Sequence, residues 1–289
     1  MAKRTIIQTL TALLYNGNLS GFASGRIWQG PSKSICVPGL NCYSCPGALG
    51  ACPLGALQSS LSGIVLRFPF YVLGLMILFG MLLGRVVCGW LCPFGLVQEL
   101  LYKIPTPKLH KNQATRTLTK LKYIIGLLFV IVLPLVFFMV LGVGAPAFCK
   151  YICPAGTLEA AVPLLSTNPF LQQNLGMLFN WKAFLLIVTI LASIFVYRPF
   201  CRFICPLGAF YGLFNKLSYF GIQVDAAKCI GCNNCIRKCK MDCVKVGDRE
   251  CINCGECIGV CPTAAISLGR KNQSAAEPVA EIAATAANK

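Results

Sequence analysis

Residues 224–268 read VDAAKCIGCNNCIRKCKMDCVKVGDRECINCGECIGVCPTAAISL, and within them the chain repeats itself. Cys229, Cys232, Cys235 and Cys239 are each followed, 22 positions later, by Cys251, Cys254, Cys257 and Cys261. In the spacing C-x2-C-x2-C-x3-C, three thiolates from one tight loop hold three irons of a cubane, and the fourth cysteine reaches the cluster of the other half. This assigns Cys229, Cys232, Cys235 and Cys261 to one 4Fe-4S cluster, and Cys251, Cys254, Cys257 and Cys239 to a second. Structural zinc is the competing use of clustered cysteines, but zinc sites pair two separated C-x2-C knuckles instead of a three-thiolate loop. Each half reads as a short strand, a loop and one helical turn, so residues 223–269 are expected to be a small α+β domain. Cys243 falls opposite Ala265 in the repeat, inherits no ligand role and reads as a packed free thiol.

The chain outside this stretch has a different character. Over all 289 residues, 56% are apolar and only 12% are charged, against about 25% charged in an ordinary soluble domain. A purely soluble enzyme is excluded. Apolar runs at Ile64 to Val87, Tyr123 to Ala145 and Ala183 to Tyr197, with an earlier one at Thr5 to Leu14, predict about four transmembrane helices. Arg67 and Arg85 are placed to reach the headgroups from the two ends of the second span, and Pro134 to kink the third. Lys103, Lys108, Lys111, Arg116, Lys120 and Lys122 lie in one connection, which places that loop in the cytoplasm and leaves both termini inside. By the same rule the segments 25–63 and 145–181 face outward. The formal charge of +17 is then a matter of membrane topology, not of nucleic acid, since no basic stripe interleaved with aromatics is present. Residues 270–289 read as a disordered tail. The expected fold is therefore an all-α polytopic membrane domain over 1–222, with interfacial helices near 94–104 and 207–217, followed by the α+β domain.

A second repeat runs through the membrane part: Cys88-Gly-Trp-Leu-Cys92-Pro93, Cys149-Lys-Tyr-Ile-Cys153-Pro154 and Cys201-Arg-Phe-Ile-Cys205-Pro206. Proline suits the first turn of a helix because its missing N–H would be unsatisfied there, and the cysteine before it then sits where the helix dipole favours a thiolate. Packing alone does not call for three copies at identical spacing. Topology brings Cys88, Cys92, Cys201 and Cys205 to the cytoplasmic ends of their spans, which gives four thiolates for a third cluster. A looser version contributes Cys36, Cys42, Cys45 and Cys52. Together with Cys149 and Cys153 these six are assigned to the outer side, where Cys42, Cys45, Cys149 and Cys153 would suffice for a fourth cluster, four from Cys36 to Cys52 would be another set, and disulfides are the competing use. A hydrocarbon core about 30 Å thick is too wide for one efficient tunnelling step, so a conductor across it needs a site on each side.

The elements Cys88-Gly-Trp-Leu-Cys92-Pro93-Phe-Gly and Cys201-Arg-Phe-Ile-Cys205-Pro206-Leu-Gly, followed by the two ferredoxin motifs, resemble the NapH-like membrane ferredoxin family, which is related to the membrane domains of NosR and CcoG. The resemblance implies a four-span inner-membrane protein with bacterial-type cytoplasmic ferredoxin clusters that passes electrons within a respiratory complex. Cys149, Cys153 and the Cys36–Cys52 group are additions to that pattern. The only histidine, His110, lies in the basic loop, so no histidine pair can hold a haem. No C-x-x-C-H, no G-x-G-x-x-G and no phosphate-cradling loop is present, and no acid lies at a span centre to relay protons. Electron transfer between ferredoxin clusters and a quinone or a partner reductase, with other subunits of a redox complex, is the expected function. An accessory or regulatory role in metal reduction or metalloenzyme assembly is the alternative. Neither requires a catalytic residue, and both place the protein in a bacterial or archaeal cytoplasmic membrane.

Overall fold

The computed structural model describes residues 2–61, 69–109 and 111–271. His110, Arg67, the first residues of the 64–87 run and residues 272–289 lie outside them. Helices dominate. Gln113–Leu141 (29 residues) and Met177–Phe195 (19 residues) are long and apolar enough to cross a membrane, at about 43 and 28 Å. Their outer faces carry Leu127, Leu128 and Ile131 on the first and Phe184, Ile187 and Leu191 on the second, all exposed, as a helix solvated by lipid requires. In the first, the turns at Gly126–Val132 widen to the π form just ahead of Pro134, where the ring removes a donor from the ladder.

The other two expected spans are shorter. The N-terminal segment is the helix Ala2–Tyr15 and the 64–87 run contributes Phe70–Leu83, each of 14 residues, below the roughly 17 that a tilted span needs. Gly84, at φ +51, ends the second, and the chain turns inward: Arg85 is wholly buried instead of reaching for headgroups. Nor are the two helices after the cysteine motifs interfacial. Pro93–Tyr102 buries Phe94, Leu96, Gln98 and Glu99, and Pro206–Phe214 buries Leu207, Ala209 and Tyr211. Glu99 is ion-paired inside the protein, and Tyr211 donates to a backbone carbonyl there.

The C-terminal unit is closed by an antiparallel pair, β1 (Phe220–Val224) with β2 (Ile266–Arg270), in register Phe220↔Arg270 to Val224↔Ile266. The strands run across the expected 222/223 boundary and into the first residue assigned to the tail, and Lys271 is anchored on Ser218 at 3.0 Å. Between the strands lie the helix Asn234–Lys238 and the turn Ile258–Val260. One apolar core, containing Cys52, Cys88, Cys92, Cys153, Cys205, Cys243 and Cys251 together with Phe148, Phe200 and Tyr211, runs through both units.

Candidate metal centres

The two halves of the C-terminal repeat have the same backbone. Gly231 and Asn253, 22 positions apart, are both left-handed (φ +69 and +53), and so are Asn233 and Gly255 (φ +55 and +82). Alternation of right- and left-handed residues turns successive N–H groups toward one point, a nest for an anion such as a sulphide-rich cluster. Asn and Gly are the residues that tolerate this conformation. In the second half Cys239, Cys251, Cys254 and Cys257 line one cavity, and Cys235 of the first half lines it as well. In the first half Cys235 lies with Cys229 and Cys232, while the Cys261 thiol accepts from the Ala265 N–H at 3.3 Å.

Cys243 is not a bystander. It is buried on the wall of the second cavity, where its thiol beside Cys251 and Cys239 draws both of those thiols below their ordinary values. The 22-residue repeat cannot reveal this, because the counterpart position, Ala265, carries no thiol.

In the membrane part the structure gathers two groups of four. Cys88, Cys92, Cys201 and Cys205, all buried, interact with one another in every pairing. Gln98 donates to the Cys201 sulphur at 3.1 Å and Gly208 N–H to the Cys205 sulphur at 3.4 Å. The second group is Cys42, Cys52, Cys149 and Cys153, again mutually interacting in every pairing. Here the structure differs from the set expected: Cys52 takes the place of Cys45, whose thiol is turned to Asn16 Oδ1 at 3.5 Å, and Cys36 flanks Cys52. The reason is local. Cys52, Cys92, Cys153 and Cys205 each cap a helix whose first residue is proline, so each group combines two helix-capping cysteines with two from a preceding turn. Cys45 and Cys52 are both followed by proline in the sequence, but only Pro53 opens a helix.

The segments that carry the two groups pack against one another. Gly39 packs against Cys92, its Cβ position 3.2 Å from the Cys92 Cα, and Tyr211 Oη donates to Pro38 C=O at 3.0 Å. Gln58, on the helix after Cys52, reaches Phe129 C=O at 2.8 Å and accepts from Cys149 N–H at 3.2 Å. The 36–52 segment and the turn at Ala147–Tyr151 fold back into the body of the protein and meet the first group there. All 19 cysteines are free thiols. Among the described residues, no set of three or more His, Cys, Asp or Glu side chains closes to the spacing of a single bound ion. Thiolates in sets of four are the donor chemistry of an iron-sulphur cluster.

The C-terminal unit is pressed onto the first group. The Gly89 Cβ position is 2.1 Å from Ile252 C=O, Trp90 Nε1 donates to Asn253 C=O at 2.9 Å, and Arg85 donates to Arg249 C=O at 2.9 Å and pairs with Glu250. Thr115 and Arg202 both bond Asp242. The wholly buried Asn215 donates to Cys251 C=O at 3.0 Å and accepts from Asn253. Although burial works against it, the Arg85 and Lys122 charges hold the Glu250 carboxyl below its ordinary range.

The comparisons with known proteins agree with this partition. A family described as a 4Fe-4S binding domain matches three times, at residues 66–112, 124–166 and 179–222, and each match carries one Cys-x3-Cys-Pro motif. A second 4Fe-4S binding domain family matches 244–267. An uncharacterized protein of Methanocaldococcus jannaschii is 32% identical over 174 residues, covering 58% of this chain and 63% of its own. The methylamine utilization ferredoxin-type protein MauN of Methylorubrum extorquens is 27% identical over 231 residues, 74% of this chain and 68% of its own. The regulatory protein NosR of Pseudomonas aeruginosa is 27% identical over 171 residues, 57% of this chain and 21% of its own. The chain spans less than two thirds of the length of the first relatives it matches. No solved structure matches. The chain thus carries 4Fe-4S binding domain sequences along much of its length and is similar to ferredoxin-type electron-transport proteins, in agreement with the NapH-like resemblance of its motifs.

Proposed function

We propose that this protein is a membrane-bound electron-transfer subunit with four 4Fe-4S clusters: two in the C-terminal unit on the ligands assigned from the repeat, one on Cys88, Cys92, Cys201 and Cys205, and one on Cys42, Cys52, Cys149 and Cys153. The clusters supply one-electron carriers at sites the protein keeps dry. The chain's own residues space them and exclude water. The observation that carries the reading is contact continuity: the second ferredoxin loop touches the first membrane group through Gly89 and Ile252, and Tyr211, wholly buried, lies beside both Cys88 and Cys52. Electrons would pass between a ferredoxin unit on the cytoplasmic side of a bacterial or archaeal membrane and a quinone or partner reductase, within a complex of further subunits. The test is iron and acid-labile sulphide per purified full-length chain with low-temperature spin resonance. About sixteen irons and as many sulphides are expected from four cubanes. About eight irons, unchanged when Cys92 and Cys205 are replaced by Ser, would overturn the membrane clusters.

A further inference from the structure

Two buried charge groups flank the first membrane cysteine set. Glu99 accepts from Arg198 at 2.7 Å and from Arg4, and Glu250 accepts from Arg85 at 3.0 Å and from Lys122. The side chains of Arg85, Lys122 and Arg198 are 0% exposed and that of Arg4 is 4% exposed. Each group holds two cations and one carboxylate, so each leaves one buried positive charge without an acid. Of the neighbouring acids, Asp242 is taken by Arg202, and the Asp248 carboxylate accepts from the N–H groups of Val244, Glu250 and Cys251 and makes no ion pair with Arg85 or Lys122 among the described residues. Unbalanced charge is costly to bury, and the Nε atoms of Arg4, Arg85 and Arg198 have no hydrogen-bond partner. The site is built for an anion.

The two arginines are also related by the repeat. Arg85-Val-Val-Cys88 and Arg198-Pro-Phe-Cys201 place an arginine three residues before the first cysteine of each motif, and each side chain crosses to the other motif. Arg198 donates to Cys88 C=O, and Arg85 Nη2 to Cys201 C=O at 3.4 Å. Gly95 makes room for one of them: a Cβ there would sit 3.0 Å from Arg198 Nη1. The third motif has Pro146 at the equivalent position, and the second cysteine group has one cation, Lys182, which donates to Cys149 C=O at 3.2 Å, with the Glu159 carboxylate accepting from Cys42 N–H at 2.6 Å.

We infer that Arg85 and Arg198 are a crossed pair of positioning residues that hold fixed positive charge against the Cys88, Cys92, Cys201 and Cys205 site, matching a dianionic cofactor there and making it the most readily reduced of the membrane sites. This rests on the cluster reading above. Four thiolates on an oxidised 4Fe-4S core make a dianion. One electron from the adjoining Cys251, Cys254 and Cys257 cluster, which is thereby oxidised, makes it a trianion with no ligand bond formed or broken. The arginine charge favours the added electron.

The experiment is a spin-resonance redox titration of the full chain, with the relevant signal identified as the one lost in Cys92→Ser. In Arg198→Gln the reduced-to-oxidised ratio of that signal at fixed potential should fall at least about tenfold, a midpoint lower by about 59 mV for one electron. Glu99→Gln should move it in the opposite direction, Arg198→Lys should leave it in place, and the other signals should not move. A retained signal with an unchanged midpoint in Arg198→Gln, or shifts of the same sign in Arg198→Gln and Glu99→Gln, would overturn the proposal. If Arg198→Gln does not accumulate, the sign of the Glu99→Gln shift decides alone. Should Cys92→Ser remove no signal, the cluster reading itself fails, a separate result.

Discussion

Replacing Gly89 by Ala adds one methyl group at the closest approach of the two units. The Cβ position lies 2.1 Å from the Ile252 carbonyl oxygen, about 1 Å or more short of ordinary van der Waals contact. Neither partner can yield cheaply. Gly89 sits between Cys88 and Cys92 in the tight turn Val87–Leu91, and Ile252, 1% exposed, lies between Cys251 and Cys254. The units must separate by roughly the missing ångström, and overpacking of this kind costs about 1–3 kcal/mol, a factor of about 5 to 150 in the docked population. Hydrogen–deuterium exchange of the full-length chain reads this directly: amides around residues 251–254 should exchange faster, and the Trp90 indole should lose protection with its bond to Asn253. Gly74→Ala serves as the control, since nothing lies within 4 Å of its Cβ position and alanine favours the helix by about 1 kcal/mol. Equal protection in Gly89→Ala and in the unsubstituted protein would refute the reasoning, because it would mean that the contact is not made.

Cys52→Ser should remove iron and sulphide from the protein, whereas Cys45→Ser should leave both unchanged, which a paired iron assay of the two variants measures. Glu250→Gln leaves Arg85 and Lys122 buried without their shared carboxylate, and removing one partner of a buried ion pair costs about 3–5 kcal/mol. Its signature is early release of the C-terminal unit to limited proteolysis on warming, at temperatures where an exposed change such as Lys228→Gln has no effect.

The chemistry of the C-terminal unit was legible because a cluster constrains sequence locally: four thiols within eleven residues, and glycine or asparagine where the loop must turn left-handed. The pairs Cys88 with Cys92 and Cys201 with Cys205 were legible for a related reason, since a helix start after each Cys-Pro fixes where its thiol points. What periodicity could not convey is depth. The charge pattern put residues 36–52 on the far side of the membrane, yet that segment is held against Cys92 and Tyr211 by contacts between residues more than fifty positions apart. Arg85 misled for the same reason: an arginine at the end of an apolar run is usually drawn to water, and only Glu250, 165 residues later, gives it a reason to stay inside. Between Cys45 and Cys52 the sequence leaves the choice open, because each precedes a proline and only the fold shows which proline opens a helix.

The flanking ion groups set a timetable for folding. Arg4 meets its carboxylate 95 residues later and Glu99 waits a further 99 for Arg198, while Arg85 waits 165 for Glu250. During synthesis the earlier members of each group are out of the ribosome long before their partners, and they stay solvated until those arrive. Contacts of such sequence separation slow folding because loop entropy must be lost before they form. The central apolar packing is therefore expected to assemble first around Phe94, Phe148 and Phe200, with the C-terminal unit closing last.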